Sequence, residues 1–158
     1  MNSFFRLNVA YSENASGGAL ENPSVTFDNA SIANIPVLTD FVEEKLSARG
    51  CSLRIINLFS ISIDEIYSNI VKFAYPEKPG AVTVQLLLND PERISLKFVD
   101  SGVPYNPLET EDPDITLAPE ERGIGGLGIF MVKQMMDEIE YKYEYKDHKN
   151  MLTITKKI

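Results

Sequence analysis

Glu65 and Asn69 lie four residues apart in Asp64-Glu65-Ile66-Tyr67-Ser68-Asn69, inside a run whose apolar residues recur at helical spacing. On a helix that interval stacks both side chains on one face, one turn above the other. A carboxylate and a carboxamide so placed can take complementary roles, the amide oxygen holding a hard cation while the carboxylate takes a proton. Solvated helix faces carry the same pair without any chemistry. The pair gains meaning from two later segments, Val99 to Pro107 (VDSGVPYNP) and Arg122 to Gly128 (RGIGGLG).

Asp100 closes an apolar alternating run, and Gly102 follows two residues later. A carboxylate at a strand end can accept a hydrogen bond from an exocyclic amine such as that of adenine. Guanine presents an acceptor at the same place and is repelled. Gly102 lets the backbone pass close to a flat ring. Asp-Ser-Gly-Val-Pro is equally good turn sequence, so the plain β-turn stays open. Gly123, Gly125, Gly126 and Gly128 precede or open an apolar helical pattern, where unpaired amides of the first turn favour a phosphate. The run lacks the Gly-Lys-Ser/Thr ending of a P-loop, and a flexible loop is the competing account.

These groups need elements to position them. Ser24–Phe27 reads as a short strand. A helix is expected from Asn29 or Ser31 to about Arg49, with Pro36 moving the start toward Ile35 and Gly50 as its stop. A second helix is expected from Ser52 to Ala74, ended by Pro76. Val82–Leu88 and Ile94–Val99 read as strands of an antiparallel hairpin around Asn89-Asp90-Pro91-Glu92. Residues 101 to about 125 form a long loop holding four of the nine prolines, and such loops are usually lids or binding segments. A helix over about 126–136 follows, then strands over 139–145 and 151–155 joined by Asp147-His148-Lys149-Asn150. Tyr141, Tyr143 and Tyr145 alternate as one strand face packed against helices. His148, the sole histidine, is expected in solvent.

At 158 residues and 44% hydrophobic content the chain can bury the core of one domain. Its formal net charge of -8 argues against nucleic acid as a partner. No apolar run reaches the roughly 18 residues of a membrane span. The start lacks signal-peptide character. The single Cys51 excludes an internal disulfide and reads as a small packing residue. A cytoplasmic location is expected. Residues 1–22 read as an N-terminal extension, an added edge strand around Phe5–Val9 and then a Ser/Gly/Asn/Glu tract. Residues 23–158 form the domain.

Together, the Glu65/Asn69 helix, the strand ending Asp100-Ser101-Gly102 and the glycine-rich helix start resemble the GHKL ATPase superfamily. More narrowly, Glu65 to Tyr75, Asp100 to Pro107, Gly125 to Glu138 and the closing Leu152 to Lys157 are similar to the anti-sigma-factor serine/threonine kinases. The resemblance covers about residues 24–158. It implies an α+β fold of the GHKL (Bergerat) type, a two-layer sandwich with a mixed, mostly antiparallel sheet and helices on one face, and an ATP lid at about 101–125.

The resemblance also implies roles. Glu65 is the general base toward a serine or threonine hydroxyl, and Asn69 holds the Mg²⁺ that bridges the ATP phosphates. Asp100 reads adenine, Gly102 lies beneath the base, and Gly123, Gly125, Gly126, Leu127 and Gly128 form the lid hinge and phosphate amides. Lys72 and Arg122 either reach phosphate oxygens or are solvated surface cations. The implied activity is ATP-dependent phosphorylation of a small antagonist protein combined with sequestration of a sigma-type partner. The alternative is an ATP/ADP-dependent binding switch with little phosphoryl transfer. Family members often form homodimers, which no residue pattern here shows. The chain departs from the family at Phe73, where a histidine is common, and Pro104 replaces the second glycine favoured by the wider superfamily.

Overall fold

The computed structural model describes residues 8–10, 22–123 and 126–158. In chain order the regular elements are β1 (Asn8–Ala10), β2 (Ser24–Phe27), α1 (Ile35–Ala48), α2 (Leu53–Asn69), β3 (Val82–Leu87), β4 (Arg93–Asp100), α3 (Leu127–Met135), β5 (Glu138–Glu144) and β6 (Lys149–Lys157). Period-two alternation decides the sheet. Val82, Val84 and Leu86 on β3, Ile94, Leu96 and Phe98 on β4, and Leu152 and Ile154 on β6 are all buried on one face. Thr83, Gln85, Ser95 and Lys97, on the other face, are partly exposed. The helices supply the covering layer: Leu38, Val42 and Leu46 from α1, Ile56, Phe59, Ile63 and Ile66 from α2, and Ile129 and Val132 from α3 complete the core.

The six strands lie in the order β1-β2-β3-β4-β6-β5. The expected two-layer α+β sandwich is present, with one refinement: the sheet expected to be mixed is antiparallel at every described pairing. The reason is topological. β4 and β5 run in the same direction, joined by the lid and α3, but β6 inserts between them and pairs with both. No described helix is long and apolar enough to cross a membrane.

Three element ends differ from the sequence expectation. A 3-10 turn over Ile32–Asn34 precedes α1, because Pro36 has no N–H to give and suits a first helical turn. α2 keeps α geometry to Asn69, then widens into a π-helical turn over Ile70–Ala74. That wider turn leaves the Ala74 carbonyl to accept the N–H of Val103 at 2.9 Å. The last hairpin turns one step early. The Glu144 carboxylate accepts the N–H groups of Lys146 and Asp147 at 2.9 and 2.8 Å, and His148 takes φ 51. Lys149 and Asn150, expected in the turn, therefore open β6. Cys51 is half-buried against the core and His148 is exposed.

Candidate functional site

α2 is the element that aims the first pair. Its buried stripe, Ile56, Phe59, Ile63, Ile66 and Tyr67, faces the sheet. Glu65 and Asn69 sit beside that stripe at the rim, partly exposed, while Asp64 points into solvent. Both rim residues line a cleft of about 820 Å³ together with Lys72, Phe73, Tyr105, Arg122, Gly123, Gly126, Leu127 and Gly128. The start of α3 comes close to α2 here. A Cβ added at Gly128 would collide with the Glu65 carboxylate where it now lies, so the glycine leaves that carboxylate room against the helix start. Gly126, at φ 79, turns the chain into α3, whereas a side chain at Gly123 would meet nothing.

A second, mostly apolar pocket adjoins the cleft. Ile66, Asn69, Ile70, Ala74, Asp100, Val103, Tyr105, Ile129, Tyr141, Asn150 and Leu152 are among its lining. Asn69, Tyr105 and Ile129 belong to both cavities, so the two are joined. Asp100 is 5% exposed at its floor. Its Oδ1 accepts the N–H of Gly102 at 2.9 Å and the Asn150 side-chain amide at 2.8 Å. Burial pushes the carboxyl above its ordinary range, opposed by those two donors and by the nearby Lys149 cation. Oδ2 takes part in neither of these bonds, and Asp100 lines the inner pocket. Gly102 is fixed by contact rather than by φ: a Cβ there would strike the Ala74 carbonyl.

Tyr75 props this corner from outside. Its hydroxyl accepts the Ser101 N–H at 2.9 Å and donates to the Ala81 carbonyl at 2.7 Å. Gly80 lies on the phenol ring, where any Cβ would clash. Phe73 is half exposed and sits 5.4 Å from the Tyr105 ring, both at the mouth of the cleft.

Thus Glu65, Asn69, Gly123, Gly126, Leu127 and Gly128 share the outer cleft, and Asp100 lies in the pocket that Asn69 joins to it. Lys72 lines the cleft with its side chain exposed. Arg122 also lines it, but its guanidinium donates to the carbonyls of Leu117 and Ile115 at 3.1 and 3.2 Å, bracing the lid. Gly125, and residues 1–22 other than Asn8–Ala10 and Asn22, lie outside the described residues.

Sequence reading missed Asn150 and Tyr141. Tyr141 donates to Asn150 Oδ1 at 2.6 Å rather than serving only as packing. Tyr143 and Tyr145 pack on each other, edge to face at 5.0 Å, and Tyr145 is 80% exposed beyond the strand end, not packed on helices. The signal for Asn150 was its place at even spacing from Leu152 and Ile154, hidden by the turn propensity of asparagine.

A magnesium ion fits this donor set. Among the described residues no group of three or more His, Cys, Asp or Glu could cage a metal by itself. A cation at the cleft would be held by Asn69 and by a ligand's own oxygens, the arrangement magnesium favours.

A family model described as a histidine kinase-like ATPase domain matches residues 29–156. The chain is 31% identical over 106 residues to the serine-protein kinase RsbW of Listeria monocytogenes serotype 4a (strain HCC23), covering 62% of this chain and 65% of that protein. It is 30% identical over 88 residues to a Bacillus mycoides (strain KBAB4) protein of the same name, covering 53% of this chain and 54% of that protein. The match spans less than two thirds of either relative.

Proposed function

We propose that this chain, which belongs to the histidine kinase-like ATPase domain family, is an ATP-dependent protein serine/threonine kinase of the anti-sigma-factor type, a reading supported by its likeness to the serine-protein kinase RsbW proteins. The observation that carries the proposal is the joining of two cavities, one with Asp100 at its floor, the other with Glu65 beside the glycines of α3. Adenine in the inner pocket donates its exocyclic amine to Asp100 Oδ2, while Gly102, which lines neither cavity, acts by packing against Ala74 and by donating its N–H to Asp100 Oδ1. The phosphates extend past Asn69 toward the amides at the start of α3, whose dipole favours negative charge. Magnesium, when bound there by Asn69, supplies charge neutralisation on the phosphate oxygens.

Glu65 faces the remaining side of the cleft, open to an incoming protein hydroxyl. It takes the hydroxyl proton as the serine or threonine oxygen bonds to the γ-phosphorus. The bond from that phosphorus to the bridging oxygen breaks, and ADP leaves. Little covalent help is required, since positioning and charge supply most of the effect in phosphoryl transfer. The phosphorylated protein is a small antagonist, and a sigma-type partner is held by mutually exclusive binding; both follow from the family resemblance. A homodimer is drawn from the same likeness, and a cytoplasmic setting from the composition and the single cysteine.

The test is transfer of label from ATP, with Mg²⁺, to a co-encoded antagonist-like protein. Transfer that disappears in Glu65→Gln while nucleotide binding survives is the expected result. Equal behaviour of Glu65→Gln and the unsubstituted protein would reject the kinase and leave the nucleotide-dependent switch as the better reading.

A further inference from the structure

Asn150 is 4% exposed and stands opposite Asp100 in the β4–β6 ladder. Its amide makes five contacts. Oδ1 accepts the Tyr141 hydroxyl at 2.6 Å and the Tyr105 N–H at 3.3 Å. Nδ2 donates to Asp100 Oδ1 at 2.8 Å and to the carbonyls of Gly102 and Val103, each at 3.3 Å. The backbone decides which way the amide points: an N–H can only donate and a carbonyl can only accept. Asn150 must therefore present N–H, never oxygen, to the Asp100 carboxylate.

We infer that Asn150 is a positioning residue that sets purine selectivity, fixing Asp100 so that Oδ2 meets the base as an acceptor. This rests on the purine reading of the inner pocket proposed above. With Oδ1 taken by Asn150 and Gly102, rotation of the carboxylate would sacrifice two buried bonds. The same amide ties the first lid residues, Gly102, Val103 and Tyr105, to that orientation. Without the amide donor, burial favours the protonated acid, whose O–H can donate to a ring carbonyl. A base with an oxygen in place of the amine would then be accepted. The titratable groups bearing on Asp100 are Lys149 on β6, Tyr75 after the π-turn and Tyr141 on β5. Burial raises both phenols, which keeps them neutral, so Lys149 is the charge that acts with the amide.

The experiment measures ATP and ITP affinities by calorimetry, from pH about 5 to about 8, for the full chain and for Asn150→Leu, Asn150→Asp and Tyr141→Phe. Asn150→Leu should lower the preference for ATP over ITP roughly tenfold, the scale of one hydrogen bond to a charged group. Asn150→Asp faces one carboxyl with another, so ATP binding should weaken as pH rises and recover as a shared proton returns. Tyr141→Phe preserves the packing and should shift the preference the same way by less, roughly threefold, which keeps the test decisive even where Asn150→Leu does not fold. Equal weakening of both nucleotides, with preference and pH profile unchanged, would reduce Asn150 to a structural residue and overturn the inference. An unsubstituted protein that binds neither nucleotide would overturn the purine reading as well, an outcome distinct from a wild-type preference that the variants retain.

Discussion

The two ends of the joined cavity are built differently. At the inner end Asp100 and Asn150 are buried, paired across β4 and β6, and their bonds are fixed by strand register. At the outer end the lid is held by exposed contacts: Lys133 to Asp112 at 2.7 Å, Asp114 to the Thr116 hydroxyl at 2.6 Å, and Arg122 to lid carbonyls. Exposed ion pairs contribute little, typically under about 1 kcal/mol. The inner end is thus held by buried bonds, while the outer end can change shape at small cost. On the function proposed above, selectivity and chemistry are separated along one ligand.

The largest effect expected is on the chemical step. Glu65→Gln removes the proton acceptor and should slow transfer by roughly 10²–10⁴-fold, with ATP affinity nearly unchanged in a binding titration. A matching loss of affinity would blur the division between the ends.

Asp100→Asn probes the rigid end. It should weaken ATP binding by roughly 1–3 kcal/mol without lowering the melting temperature at neutral pH. The sign follows from burial: the folded-state pKa is raised, so the charged form at neutral pH opposes folding, and acidification through that pKa relieves it. ATP affinity should run the other way, falling as pH drops through the Asp100 pKa, because the ligand requires the ionised acceptor. A melting temperature that falls with the substitution would contradict the burial account.

Gly102→Ala should be felt in both properties, since the added methyl meets the Ala74 carbonyl. Overpacking of this kind costs about 1–3 kcal/mol, read as a lower melting temperature together with weaker ATP binding. Lys133→Ala should be the smallest, under about 1 kcal/mol in stability. Its signature is faster proteolysis within residues 101–123 and unchanged ATP-over-ITP preference. A changed preference would show that the lid also sets base selectivity.

Much of this organisation was legible in the residues. Alternation in Val82–Leu88 and Ile94–Val99 exposed the central hairpin, and the Glu65/Asn69 interval placed both side chains on one rim. What escaped was set by tertiary contact. Asn150 follows Asp147, His148 and Lys149 and carries the turn chemistry of its residue type, yet the Glu144 carboxylate closes the turn earlier and the β4 partner draws it into the sheet. The π-turn at Ile70–Ala74 was also hidden, because the contact that it makes, the Val103 N–H on the Ala74 carbonyl, is remote in sequence. The antiparallel pairing throughout depends on β6 entering between β4 and β5, a matter of strand order that local pattern does not encode.

The most direct measurement is calorimetric titration of the full chain, Asp100→Asn and Asn69→Ala with adenosine and with ATP plus Mg²⁺. If one nucleotide spans both cavities, Asp100→Asn weakens both ligands, while Asn69→Ala weakens ATP with Mg²⁺ far more than adenosine. Unchanged ATP affinity in either variant would contradict it.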